Sequence, residues 1–194
     1  MGEGGFSLGD QINKETLAMA LLSEGFMQAY IDFFYLTMKT TPSQIEPSPQ
    51  YQKEFSLRES RKPEESKESH KAMLTQLRED LVGAEMDWRE GEFRNCFRVY
   101  QSVATRYEQK QDFCTASYFH KRCLDVSLDF KYFEGEALAH KGLGFCEENV
   151  HNKFEAMGQL ETALGKANEG NLDRIKVEIL KDLVRVYQQI AKQH

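Results

Sequence analysis

From Lys71 onward, apolar residues recur at three- and four-residue steps, and the pattern restarts in six blocks parted by short polar joints. The blocks read KAMLTQLREDLVGAEMDW, EFRNCFRVYQSVATRYEQK, FCTASYFHKRCLDVSLDF, EGEALAHKGLGFCEEN, KFEAMGQLETALGKANE and LDRIKVEILKDLVRVYQQIAKQ. Steps of three and four place side chains on one face of an α-helix, so each block predicts an amphipathic helix. Short joints make successive helices antiparallel, which predicts helical hairpins stacked in sequence over residues 71–194.

Upstream, residues 13–39 predict a smaller helical hairpin. Leu17, Leu21, Leu22, Phe26, Ala29, Phe33 and Leu36 share one face, and Gly25 in SEGF supplies a tight turn with Phe26 opening the second helix. The run IDFFYLTM is apolar all round its helix and must pack on another body. Residues 1–12 are glycine-rich and expected to be disordered. Residues 40–70 are rich in Pro, Ser, Glu and Lys and bury too little apolar area to order alone. They read as a linker, either a plain spacer or a strap ordered along a partner. Three of the chain's 4 prolines (Pro42, Pro47, Pro49) fall within one eight-residue stretch there, and Pro63 lies in the same segment, leaving the rest free of that helix breaker.

The blocks share a repeat. The tetratricopeptide pattern sets Trp-x2-Leu-Gly-x2-Tyr on a first helix and Ala-x3-Phe on a second: small residues admit the neighbouring helix and a large aromatic fills the gap. Tyr100, Val103, Ala104 and Tyr107, then Ala116 and His120, with Cys123 and Leu124 following, match it once. Leu138, Gly142 and Phe145, then Ala156 and Leu160, with Ala163 and Leu164 following, match it again, with Lys141 where Leu belongs and the joint VHNK two residues longer than the pattern. Leu180, Leu183, Val184 and Tyr187 match the first helix of a third copy. Anchored on Ala104, Gly142 and Val184, the repeats are longer than the standard pattern and unequal in length. The expected class is all-α: tetratricopeptide-like stacked helical hairpins, a short α-solenoid.

Certain stretches also resemble the tetratricopeptide repeat protein 29 family of ciliary and flagellar axonemal proteins. They are LLSEGFMQAYIDFFYLTM, the LVGAE and REGEF pair around Trp88, the Tyr100/Ala104/Tyr107 helix, YFHKRC, EGEALAH with Gly142, and ILKDLVRVYQQIAK. The resemblance runs in order over roughly residues 16–192. It implies a non-enzymatic axonemal scaffold needed for flagellar motility, near dynein or the intraflagellar transport machinery, located in cytoplasm and cytoskeleton. Its partners would be other axonemal proteins. Family members carry further repeats, so this chain reads as a short form or as one whose C-terminal neighbour comes from another chain.

Charge narrows the partners further. With 25 Lys and Arg against 31 Asp and Glu, the formal net charge is −6. That balance opposes phosphate neutralisation, so no nucleic acid is expected, and no bare electrostatic grip on an acidic microtubule. No apolar run approaches a membrane span, so no membrane insertion is expected. MGEGGFSLGD has no secretory signature, and Phe6 stands where a myristoylation pattern needs Ser or Thr.

Candidate chemistry is sparse. Cys96, Cys114, Cys123 and Cys146 lie in helical patterns and read as reduced core thiols. His120 and Cys123 are three apart on one helix, and stacking would bring Cys146 near. Without a CxxC or HxxxH pair, packing is favoured over metal, and no cofactor or catalytic set is expected. Gly142-Leu143-Gly144 lacks the preceding strand of a phosphate cradle and reads as helix contact. Trp88 is expected as a core anchor.

Two surfaces are expected to work. One is a groove lined by Arg98, Gln101, Thr105, Glu108, Glu136, Ala139, Leu143, Glu178, Lys181, Arg185 and Gln188, suited to a polar peptide; a soluble peptide-capturing adaptor is the alternative function. The other is the last helix. Ile179, Leu183, Val186 and Ile190 form one apolar stripe and Leu180, Val184, Tyr187 and Ala191 a second, where a terminal repeat normally presents a polar face. The second stripe is predicted to dock on another protein.

Overall fold

A computed structural model describes residues 14–37 and 67–192. The predicted disordered stretch 1–12 and linker residues 40–66 lie outside the described residues. Within them the only regular elements are α-helices: α1 (Lys14–Ser23), α2 (Met27–Thr37), α3 (Lys67–Glu90), α4 (Phe93–Gln109), α5 (Phe113–Asp129), α6 (Phe133–Asn149), α7 (Lys153–Glu169) and α8 (Asp173–Ala191). The expected linker therefore ends earlier than residue 70, because α3 begins at Lys67. No described helix is long and apolar enough to cross a membrane. Two compact units divide the chain between Val82 and Gly83, inside α3.

In the first unit, α1 and α2 pack as a hairpin over Ala18, Leu21, Ala29 and Phe33, all buried. Gly25 makes the turn at φ +83°, a left-handed conformation that costs glycine little. The helix Met27–Thr37 is less covered than its composition predicts, with Ile31 and Phe34 both exposed. Arg78 on α3 pairs with Glu24 at that turn.

The second unit is periodic. Helices α4 to α8 begin at residues 93, 113, 133, 153 and 173, each 20 residues after the last. Every joint is the same. The N–H of Asp112 donates to the Tyr107 carbonyl (3.0 Å) and that of Gln111 to the Glu108 carbonyl (2.9 Å), and the pair recurs at Tyr132/Lys131, Asn152/His151 and Leu172/Asn171. This is a Schellman closure, whose C′ residue is left-handed. Here Gln111, Lys131, His151 and Asn171 hold φ between 53° and 67°, while Gly91 takes φ +81° before α4. The next residue then caps the following helix; Asp112 does so with its side chain, accepting from Thr115 N at 3.1 Å. A β-branched side chain is poorly tolerated at such a φ, so Lys131→Val is expected to lower the thermal midpoint, by about 1 kcal/mol of stability, while Lys131→Gly does not.

Hairpin positions therefore recur every 40 residues. Val103, Leu143 and Leu183 are equivalent and all buried. Ala104, Gly144 and Val184 share the small position, so the second repeat aligns on Gly144 rather than Gly142, and the joint before Lys153 is no longer than the others. Lys141 does not stand where Leu belongs; Leu143 does. Each of α4 to α7 packs on its successor, and α6 also meets α8. Between α4 and α5 the core is aromatic, with Tyr100 and Phe119 rings 6.1 Å apart. Between α7 and α8 it is aliphatic, built from Leu160, Ala163, Ala167, Ile175, Ile179, Leu183 and Val186. Trp88, expected inside, is 47% exposed on the last turn of α3; Cys96, Phe97 and Tyr100 fill the neighbouring interior instead.

Candidate functional site

The expected groove divides. Arg98 and Thr105 on α4, and Lys181, Arg185 and Gln188 on α8, are exposed, while Gln101, Glu108 and Glu178 are half-buried. Glu136, Ala139 and Leu143 are buried and line no open surface. The cause is the two-residue register: the α6 positions equivalent to Arg98, Gln101, Thr105 and Glu108 are Leu138, Lys141, Phe145 and Glu148. Glu136 instead sits beneath α7, where Lys166 Nζ approaches its Oε2 at 3.1 Å.

Much of the charge on this face binds α6 to α8. Lys141 Nζ donates to Glu178 Oε2 at 2.7 Å. Arg185 grips Glu148 with two nitrogens, Nη2 to Oε2 at 2.8 Å and Nε to Oε1 at 2.9 Å, and Gln189 Nε2 adds a third donor at 2.7 Å. The Arg185 hydrogen bonds hold the Glu148 carboxyl below the usual range despite burial, and Lys141 does the same for Glu178. Arg185 is correspondingly raised, first by its hydrogen bond to Glu148.

The C-terminal helix has the most distinctive surface. Ile179, Leu183 and Val186 are buried, whereas Leu180 (47%), Val184 (55%) and Tyr187 (46%) are exposed. Ala191 is exposed too. Val177, which the stripe reading missed, joins them at 52%. Tyr187 keeps a polar tie, its hydroxyl donating to Glu161 Oε1 at 2.8 Å. The 40-residue period explains the set. Val177, Leu180, Val184 and Tyr187 are equivalent to Phe97, Tyr100, Ala104 and Tyr107 on α4, of which the first three are at most 3% exposed. On α4 that face is covered by α5, and on α6 by α7, where Gly144 lies against Leu160 and His140 Nδ1 is 2.8 Å from Gln159 Oε1. On α8, among the described residues, the same face is bare.

The cysteines separate by environment. Cys123 donates weakly to the Phe97 carbonyl at 3.7 Å, and burial pushes its thiol far up. Cys146 is raised to about 12, chiefly by burial and then by the Glu108 carboxylate. His120 Nε2 is 2.7 Å from Glu108 Oε1. Stacking thus brings His120 to Cys146, as expected, but with Glu108 in the place imagined for Cys123. Gly142 and Gly144 are contact glycines, Gly142 lying under the His120 ring. Neither protein-family models nor curated proteins gave a match to this chain.

Proposed function

We propose that the chain is a non-enzymatic protein–protein interaction scaffold of tetratricopeptide-like hairpins, working in the ciliary or flagellar axoneme beside dynein or the intraflagellar transport machinery. Its place rests on the stretches that resemble the axonemal family. Its mechanism rests on one observation: the α8 face equivalent to those covered on α4 and α6 carries four exposed apolar side chains. The occupant is a helix of another axonemal protein, laid antiparallel on α8 as α5 lies on α4. Such a helix buries an i, i+3, i+4 apolar face in a groove, which is an established mode of helix recognition.

Peptide capture in the groove is the weaker reading. A carboxylate clamp needs free cations, and Lys141 and Arg185 are already engaged with Glu178 and Glu148.

A photo-crosslinking residue at position 184 in ciliated cells tests the proposal. Cross-links to helical segments of axonemal proteins, abolished by Leu180→Glu with Val184→Glu, are the expected result. The double variant should keep its melting temperature, because both side chains already face solvent. Axonemal incorporation undiminished in that variant, cross-links confined to cilium-free cytosolic proteins, or a homodimer through this face would each overturn it.

A further inference from the structure

We propose that Glu108, His120 and Cys146 form a binding site for a zinc-class divalent cation, with one ligand from each of three consecutive helices. A carboxylate oxygen, an imidazole nitrogen and a thiol sulfur lie here within 4.8 Å of one another, with His120 and Cys146 buried. The donor set selects the ion: one sulfur and one nitrogen suit zinc and its borderline-soft neighbours, whereas calcium and magnesium take oxygen. Three protein ligands leave a fourth position for water.

The helices are arranged to bring these atoms together. Glu108 stands in the last turn of α4 and Cys146 in the last turn of α6. Both ligands thus stand near helix C-termini, whose partial negative charge favours a cation nearby. His120 reaches it from the middle of α5, because Gly142 leaves its ring room. A methyl group there would fall inside 3.0 Å of three ring atoms. Tetrahedral zinc, at about 2.0–2.3 Å from each ligand, requires donors about 3.5 Å apart. The His120–Glu108 pair stands at 2.7 Å and must open slightly to admit an ion, while all three donor atoms already lie within 4.8 Å of one another.

A hydrogen bond between Glu108 and His120 accounts for two members of the cluster but not the third. A buried thiol beside a carboxylate is electrostatically unfavourable once ionised, because burial and the Glu108 charge both favour the neutral form. A cation reverses that: the thiol yields its proton to buffer, sulfur bonds the metal as thiolate, and one proton is released per ion bound. Affinity therefore rises with pH.

Titration of the purified full chain with Co2+ is the test. One ion per chain should produce a near-ultraviolet sulfur-to-cobalt charge-transfer band with tetrahedral d–d bands, displaced by Zn2+ and stronger at pH 8 than at pH 6. Cys146→Ser, nearly isosteric, should abolish the charge-transfer band while keeping the metal-free melting curve, and Cys123→Ser should retain it. Glu108→Gln should weaken binding by at least about tenfold. Absence of the band at millimolar Co2+ would sink the proposal. Its persistence in Cys146→Ser would do so too, assigning it to another thiol such as exposed Cys114.

Discussion

Replacing Gly142 with alanine is expected to lower stability by about 1–2 kcal/mol, while the same change at Gly158 or Gly165 raises it by about 0.5–1 kcal/mol. All three glycines are inside helices, α6 for the first and α7 for the others. Helix propensity alone favours alanine at each by up to about 1 kcal/mol. Surroundings decide the sign. At Gly158 and Gly165 no heavy atom stands within 4 Å of the new methyl group. At Gly142 the methyl group meets the His120 ring, which is buried and hydrogen-bonded to Glu108 and so has little freedom to withdraw. Overpacking of this kind costs about 1–3 kcal/mol, more than propensity returns. Urea denaturation followed by circular dichroism measures all three; a stabilised Gly142→Ala would show that α5 and α6 are not in close contact at this point.

Arg185→Ala is expected to cost about 1–3 kcal/mol at neutral pH, below the full penalty of a dry ion pair because the Arg185 side chain is 46% exposed. The loss falls mainly on Glu148, whose side chain is 8% exposed and would keep only Gln189 as a donor. The folded protein holds the Glu148 carboxyl below its ordinary value of 4.5, so its stabilising contribution is complete above that value and fades as the pH falls through the lowered one. The gap between wild type and Arg185→Ala should therefore be widest near pH 7 and close progressively below about pH 4.5. Arg174→Ala is the control: with its side chain 94% exposed, it should shift the midpoint by less than about 0.5 kcal/mol. Thermal melts of the three proteins from pH 7 to pH 3 provide the comparison, and a gap that does not change with pH would contradict the assignment to Glu148.

The helices were legible because each carries its own apolar stripe, and the turn at Gly25 was legible because glycine marks it. The regular period was not. Its left-handed joint residues are Gln111, Lys131, His151 and Asn171, and none is the glycine that usually signals such a closure. Without those markers, the two glycines of Gly142-Leu143-Gly144 offered two registers. A register anchored on the first places Glu136, Ala139 and Leu143 in a groove they do not line. The 20-residue spacing of Phe93, Phe113 and Phe133, each the first residue of its helix, was the available signal.

Local sequence thus determined what each segment becomes, since amphipathic spacing, scarce proline and polar joints act within a few residues. It also marked the second apolar stripe on α8, because a stripe is a property of one helix. Tertiary packing alone decided which stripe is covered, which charges become buried partners, and which distant side chains meet. Glu108, His120 and Cys146 are separated by 12 and 26 residues and share no local pattern. Their meeting follows from helices of equal length stacked through identical turns, a geometry that exists only once the chain has folded.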